Sequence, residues 1–274
     1  IDLYDSVTVS SCAADERGVT VKMDGVAGDV PADSSNLAWQ AAQALATRLG
    51  RTPDVRIAID KRIPVAAGLA GGSADAAATL VACNELWDAN LGADELAEVA
   101  AGLGSDVAFA LYGGSMLGLG RGERLSPVLG GANLRWVVAV SDDGLQTGQV
   151  YSRLDDLRAD QLISHVGTDA CAPLLTALAA GDAASVGDAL SNDLQAAAIS
   201  LRPSLAKTLE VGRSAGALGA LVSGSGPTCC FLARDDESAI DISVALMSEA
   251  ACDRVIQARG PVQGALANIR IGGA

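Results

Sequence analysis

Residues 64–74, Pro64-Val65-Ala66-Ala67-Gly68-Leu69-Ala70-Gly71-Gly72-Ser73-Ala74, have the make-up of a phosphate cradle. Three glycines precede an alanine-rich run that is a strong helix former. A glycine-rich loop feeding a helix N-terminus offers free backbone N–H donors and the positive end of the helix dipole, and that combination binds phosphate. A side chain at Gly68, Gly71 or Gly72 would hold a phosphate away from the backbone. Ser73 is expected at the helix N-cap, and its hydroxyl is a hard oxygen suited to Mg²⁺. Two common phosphate motifs do not fit: no lysine precedes Ser73, as a Walker loop requires, and the glycines do not follow the G-x-G-x-x-G spacing. A tight strand-to-helix turn without a ligand is the plain alternative.

A second candidate is Leu103-Gly-Ser-Asp-Val-Ala-Phe109. Gly104 ends one helix, and Ser105 or Asp106 opens the next. Taken alone, Asp106 reads as an ordinary N-cap. Two further stretches carry polar groups at turns. One is Leu221-Val-Ser-Gly224-Ser225-Gly226-Pro-Thr228, a glycine turn between apolar runs. The other is Leu145-Gln-Thr147-Gly-Gln-Val-Tyr151, where a hydroxyl and an aromatic ring are spaced one helical turn apart.

Taken in order, these blocks resemble the GHMP kinases, the family of galactokinase, homoserine kinase and mevalonate kinase. The Pro-x-x-x-Gly-Leu-x-Gly-Gly-Ser-Ala-Asp-Ala form is most similar to the branch acting on a cytidine-diphosphate-bearing polyol in the non-mevalonate route to isoprenoid precursors. The resemblance covers nearly the whole chain. It implies an α+β, two-domain GHMP kinase fold, with an N-terminal mixed sheet with helices and a C-terminal α/β sandwich-like domain. It implies ATP-dependent phosphorylation of the polyol's 2-hydroxyl, with ATP and Mg²⁺ as cofactors. Residues 64–74 become the ATP loop, Ser73 a metal ligand and Asp106 the catalytic base. Thr147, Tyr151, Gly224, Ser225 and Gly226 become substrate contacts, with the Tyr151 ring on cytosine. Ala108 stands where the family usually has proline, which a first helical turn tolerates. Asn36 and Lys61 match segments near the purine. Another small-alcohol kinase of homoserine kinase type, or a nucleotide-binding module without catalysis, is the rival reading.

Elements must hold these groups in place. Residues 1–9 and 19–23 read as strands of a hairpin. A helix opens at Asn36, with Leu37, Ala41, Leu45 and Leu49 on one face, and Gly50 ends it. The alternating strand Val55–Asp60 leads into the loop, and helix 74–87 leads out. Asp94 caps a helix over 95–103. Ser115–Leu119 is a strand running into a Gly-Arg-Gly turn, with Glu123 and Arg124 as solvated charges. Leu134–Val140 is a continuous apolar strand with the pattern of a sheet centre. Character changes at Ser141-Asp-Asp-Gly144, which predicts an ATP-binding domain over 1–143 and a substrate domain over 144–274. Beyond it, helices are expected over 147–157, 169–180, 183–198, 203–215 and 237–251, and strands over 217–223, 228–233 and 262–271.

Composition narrows the class. The 274 residues carry a formal charge of −14, so a nucleic-acid backbone would be repelled. Aromatics are only 3%, so the core must be built from Ala, Val and Leu. The only lysines are Lys22, Lys61 and Lys207, which leaves helix N-termini to supply positive potential. Cys12, Cys83, Cys171, Cys229, Cys230 and Cys252 form no C-x-x-C pair, and His165 is the single histidine, read as a surface residue. Reduced, mostly buried thiols are expected rather than a zinc site or disulfides. No apolar run approaches a membrane span. The expectation is a cytoplasmic monomer or homodimer with no membrane partner.

One expectation concerns what precedes Ile1. Family members open on a strand with a Pro-x-Lys-x-Asn-Leu type segment and then Gly-Tyr-His, and neither occurs here. The chain is therefore expected to lack roughly the first 30–40 residues of a working enzyme, the length of two strands and a loop. Lys61 or Arg121 is the alternative source of a cation.

Overall fold

The computed structural model describes all residues except 14, 16, 26–29, 131–132, 164–170 and 269–274. It divides into two compact units. The amino-terminal unit holds Leu3–Val65, Ala70–Pro127 and the chain from Val262 onward. The carboxy-terminal unit holds Val128–Pro261 together with Ile1–Asp2 and Ala66–Leu69.

In the amino-terminal unit, β1 (Ser6–Ser11), β2 (Val19–Gly25) and β3 (Val55–Lys61) form a sheet in the order β1-β3-β2. The expected hairpin of the first two strands is not formed. β3 inserts between them, antiparallel to β1 (Ser6 opposite Asp60) and parallel to β2 (Val19 opposite Val55). A parallel pair needs a crossover, which α1 (Leu37–Arg48) supplies. Asn36 caps this helix through its side-chain oxygen, which accepts from the Ala38 N–H at 2.8 Å.

β3 alternates strictly. Val55, Ile57, Ile59 and Lys61 point inward, while Arg56 and Ala58 are exposed. Against the inward face lie α1 and α2 (Gly71–Leu86). Ala38, Ala41, Ala42, Ala76 and Ala77 are fully buried, and such small side chains let helices and sheet approach closely without aromatic filling. α3 (Ala93–Leu103) and α4 (Ser105–Tyr112) complete the helical layer. Gly92 is the N-cap of α3, and Asp94 sits inside its first turn. A hairpin of β4 (Met116–Leu119) and β5 (Arg124–Pro127) follows.

The carboxy-terminal unit is built on a four-stranded antiparallel sheet. β6 (Leu134–Val140), α5 (Thr147–Ala159), α6 (Ala172–Ala180), α7 (Ala183–Ala189), α8 (Gln195–Leu201), α9 (Ser204–Ser214), β7 (Gly219–Val222), β8 (Cys229–Ala233), α10 (Asp236–Ser248) and β9 (Arg254–Gly260) succeed one another. The strand order is β7-β8-β6-β9, with β6 interior as its apolar run requires. Val137 and Ala139 face a core shared with Val150, Leu154, Leu205, Leu209 and Phe231. The boundary expected at 143 lies near 128, because β6 pairs with β8 and β9 rather than with any earlier strand.

Two further expectations are corrected. The helix expected over 183–198 is broken into α7 and α8 by an extended Leu190 and the turn that follows it. The last described strand is 254–260, not 262–271. Residues 262–268 instead run back onto the amino-terminal unit, where Ala265 and Leu266 join its core; the end of that expected strand lies outside the described residues. His165 also lies outside them. None of the six cysteines is in a disulfide, and burial pushes the thiols of Cys83 and Cys229 up to about 12. Among the described residues, no helix is long and apolar enough to cross a membrane.

Candidate active site

The first glycine loop ends three residues earlier than expected. Ala70 is the N-cap of α2, in the left-handed region at φ 52°, and its carbonyl accepts from both the Ser73 and Ala74 N–H groups (3.1 and 3.0 Å). Ser73 therefore lies inside the first turn and does not cap it. The N–H groups of Gly71 and Gly72 have no acceptor among the described residues, so two adjacent donors stand free at the positive end of a sixteen-residue helix. The Ser73 hydroxyl is likewise unbonded among the described residues.

The three glycines serve three purposes. A Cβ on Gly72 would meet nothing nearer than Leu37 Cδ1 at 3.7 Å, so this residue faces open space. A Cβ on Gly71 would lie 2.9 Å from Ile63 Cγ2 and 3.2 Å from Lys61 Nζ, beneath the helix end. Gly68, at φ 72°, would place its Cβ 2.4 Å from the Ser223 carbonyl oxygen. Open approach to the backbone thus accounts for Gly72, whereas Gly68 and Gly71 are required by packing. In the rest of the loop, Pro64 and Ala67 are buried, Ala66 is exposed at φ 53°, and Val65, Leu69 and Ala74 are half-buried. Leu69 packs beside Val138, Val140 and Ala258.

Beneath the Gly71 turn lies a charge cluster that sequence reading missed. Lys61, expected near a purine, is 4% exposed. Its ammonium bonds to Asp5 and, at 2.9 Å, to Asp75 Oδ2. The other Asp5 oxygen accepts from the N–H groups of Arg62 (2.6 Å) and Ile63 (2.8 Å). Asp75 Oδ1 has no hydrogen-bond partner among the described residues. Burial is the main cause that pushes the Asp75 carboxyl up to about 7; Lys61 opposes the rise and Asp5 adds to it. The alternation of β3 was the available signal, since it turns Lys61 inward, where an ammonium requires an acid. Asn36 is also engaged at both ends, as cap of α1 and as donor to the Pro31 carbonyl (2.7 Å).

Asp106 lies in the first turn of α4, whose N-cap is Gly104. The carboxylate is exposed and makes no hydrogen bond or ion pair among the described residues. It is not the capping group that the plain reading of Ser-Asp supposed. Its neighbour Ser105 donates to the Arg121 carbonyl (2.7 Å), and Glu123 accepts from the Arg121 N–H (2.6 Å). The Gly-Arg-Gly turn of the β4–β5 hairpin is thereby tied to the start of α4.

In the carboxy-terminal unit, Thr147 is the first residue of α5, and its hydroxyl lies 2.9 Å from that of Ser225. Ser225 is 7% exposed within the Gly224–Gly226 turn. Tyr151, one helical turn beyond Thr147, is 53% exposed. Ser223, which the sequence did not single out, donates to the Gly68 carbonyl at 2.9 Å.

Comparison with known proteins gives the family. The family model of the GHMP kinases N terminal domain matches residues 36–114, and that of the GHMP kinases C terminal matches 174–251. The chain belongs to the GHMP kinases. Among its relatives, the 4-diphosphocytidyl-2-C-methyl-D-erythritol kinase of Rhodococcus jostii is 52% identical over 95% of this chain and 83% of its own length. The enzyme of the same name from Mycobacterium tuberculosis is 50% identical over 97% and 82%. A solved 4-(cytidine 5'-diphospho)-2C-methyl-D-erythritol kinase superposes with a TM-score of 0.72 at 30% identity, covering 94% of this chain and 86% of that one. The homoserine kinase of Cytophaga hutchinsonii, at 22% identity and a TM-score of 0.76 over 93% and 84%, shares the fold.

Proposed function

We propose that the chain is an ATP-dependent kinase that phosphorylates the 2-hydroxyl of 4-diphosphocytidyl-2-C-methyl-D-erythritol, giving the 2-phosphate and ADP. The observation that carries this reading is the pairing of two free N–H groups at the start of α2 with an unengaged carboxylate at the start of α4, in a chain half identical to enzymes of that name. Phosphoryl transfer asks little covalent chemistry of a protein. It asks for positioning and charge stabilisation, which a backbone cradle and one base can provide.

We assign the roles as follows. The N–H groups of Gly71 and Gly72 take the nucleotide phosphates. Asp106 accepts the proton of the 2-hydroxyl as its oxygen bonds to the γ-phosphorus and the bond from that phosphorus to the bridging oxygen of ADP breaks. Thr147, Ser225 and the turn at Gly224 and Gly226 bind the polar part of the substrate, and Tyr151 offers a ring to cytosine. Among the described residues no group of three or more acidic, histidine or cysteine side chains could hold a metal. Ser73 would offer a hard hydroxyl oxygen to Mg²⁺ brought in with the nucleotide. Mg²⁺ so held would supply charge neutralisation on the transferred group.

The test is a substrate panel with ATP and Mg²⁺: the diphosphocytidyl alcohol, homoserine and mevalonate. Turnover confined to the first supports the assignment. Turnover of homoserine alone would transfer the chain to the other branch of the family, and nucleotide binding without turnover of any would make it a binding module.

A further inference from the structure

The second glycine turn, Ser223–Pro227, is gripped from outside by a residue 30 positions away in sequence. Asn192 lies in the turn between α7 and α8. Its amide nitrogen donates to the Val222 carbonyl at 2.6 Å and to the Gly224 carbonyl at 2.8 Å. Its amide oxygen accepts from the Leu194 N–H at 2.9 Å. Three residues on, Gln195 Oε1 accepts from the Val222 N–H at 3.0 Å. Within the turn, the Ser223 N–H bonds to the Thr228 carbonyl and the Gly226 N–H to the Ser223 carbonyl, both at 2.8 Å. That accounting leaves the N–H groups of Gly224 and Ser225 without an acceptor among the described residues. Gly224 is left-handed at φ 53°. Successive N–H groups left open beside a left-handed residue form an anion-binding concavity.

The grip extends to the first glycine loop. Ser223 Oγ donates to the Gly68 carbonyl, and Gly68 has no room for a side chain against the Ser223 and Gly226 backbones. Whatever fixes the peptide planes at 222–224 also fixes the position of Gly68. An asparagine side chain suits this task because it presents two donors and one acceptor at once. Aspartate would face two carbonyl oxygens with negative charge, and serine is too short to span them.

We propose that Asn192 is a positioning residue for phosphoryl transfer. By holding the carbonyls of Val222 and Gly224 it turns the Gly224 and Ser225 N–H groups toward ligand, and through Ser223 it registers the second glycine loop against the first. The proposal rests on the reading of both loops as ligand loops. Its first test does not depend on that reading.

Asn192→Ser keeps an oxygen for the Leu194 N–H, and so keeps the start of α8, but loses the bridge to the two carbonyls. In the ligand-free protein, amide hydrogen exchange at 222–228 and at 66–69 should accelerate at least tenfold, while that of 195–201 stays as in the wild type. Exchange unchanged in both loops, or accelerated equally in α8, would overturn the proposal and leave Asn192 a residue of the local turn before α8. The second test is kinetic. Asn192→Ser should raise the KM for both substrates by roughly tenfold, whereas Ser223→Ala, which cuts the link to Gly68 and a contact with the Cys230 thiol but leaves the Asn192 bridge in place, should raise the KM for ATP more than that for the cytidine substrate. Loops that loosen without any change in either KM would sink the positioning role, and a wild-type protein that phosphorylates nothing would sink the function instead.

Discussion

Gly72→Ala should make the protein more stable and a poorer kinase. Gly72 is in the first turn of α2, exposed, with nothing within 3.7 Å of where a methyl would go. Alanine in place of glycine in a helix is worth about 0.5–1 kcal/mol. For a chain of this size the melting temperature should rise by about 1–4 °C. The same methyl stands on the open face beside the free N–H groups of Gly71 and Gly72. Losing one hydrogen bond to a charged phosphate oxygen costs about 1.5–3 kcal/mol, so the dissociation constant for ATP should rise about 10- to 100-fold. Gly71→Ala is the control: its methyl would press on Ile63 and on the Lys61 ammonium, so stability should fall along with affinity. Calorimetric titration with ATP and thermal melts of both variants give the two signs. If Gly72→Ala binds ATP as tightly as the wild type, the start of α2 is a turn and the phosphates lie elsewhere.

Asp106→Asn should lower turnover by roughly 10²–10⁴ with little change in either KM or in melting temperature, because among the described residues the carboxylate neither caps α4 nor pairs with a cation; a variant with near-normal kcat would remove it from the mechanism. Tyr151→Ala should raise the KM for the cytidine substrate and not that for ATP, since a stacked ring is worth on the order of 1–3 kcal/mol per base; equal changes in both would point to loss of structure. The carboxyl of Asp75 is held near 7 in the folded state and titrates near 4 when unfolded, so the native state binds the extra proton in between. Its contribution to stability is therefore full below about pH 4 and is lost as pH rises through about 7, on the order of 1 kcal/mol per pH unit. Asp75→Asn should gain on the wild type in urea denaturation across that window and hold a constant lead above it; a constant difference from pH 4 to pH 8 would show that Asp75 is ionised throughout.

Much of the secondary structure could be read from local pattern. The strict alternation at 55–60, the Asn36 cap and the apolar run at 134–140 each decide an element without reference to distant residues. What could not be read was pairing. β1 and β2 look like a hairpin because they are adjacent in sequence, and only the demand of β3 for two neighbours separates them. The unit boundary was misplaced for the same reason. The Ser141–Gly144 turn is a real change of character, but β6 before it belongs to strands that come about 90 and 115 residues later.

The candidate site divides along the same line. Gly71, Gly72, Ser73 and Asp106 are contiguous motifs, and their chemistry is set by helix ends, which are local objects. Lys61, Ser223 and Asn192 carry no motif, because each acts on a partner brought near by the fold: Asp5 at 56 residues' separation, Gly68 at 155, Val222 at 30. The glycines show how this misleads a reading by composition. Gly68, Gly71 and Gly72 look alike in sequence, and all three suggest an open backbone. Only Gly72 has open space around it. Gly68 is glycine because another loop lies against it, and Gly71 because an ammonium and an isoleucine lie under it. Substitutions at the three positions therefore report on three different things, and only the one at Gly72 bears on phosphate without also bearing on the packing beneath.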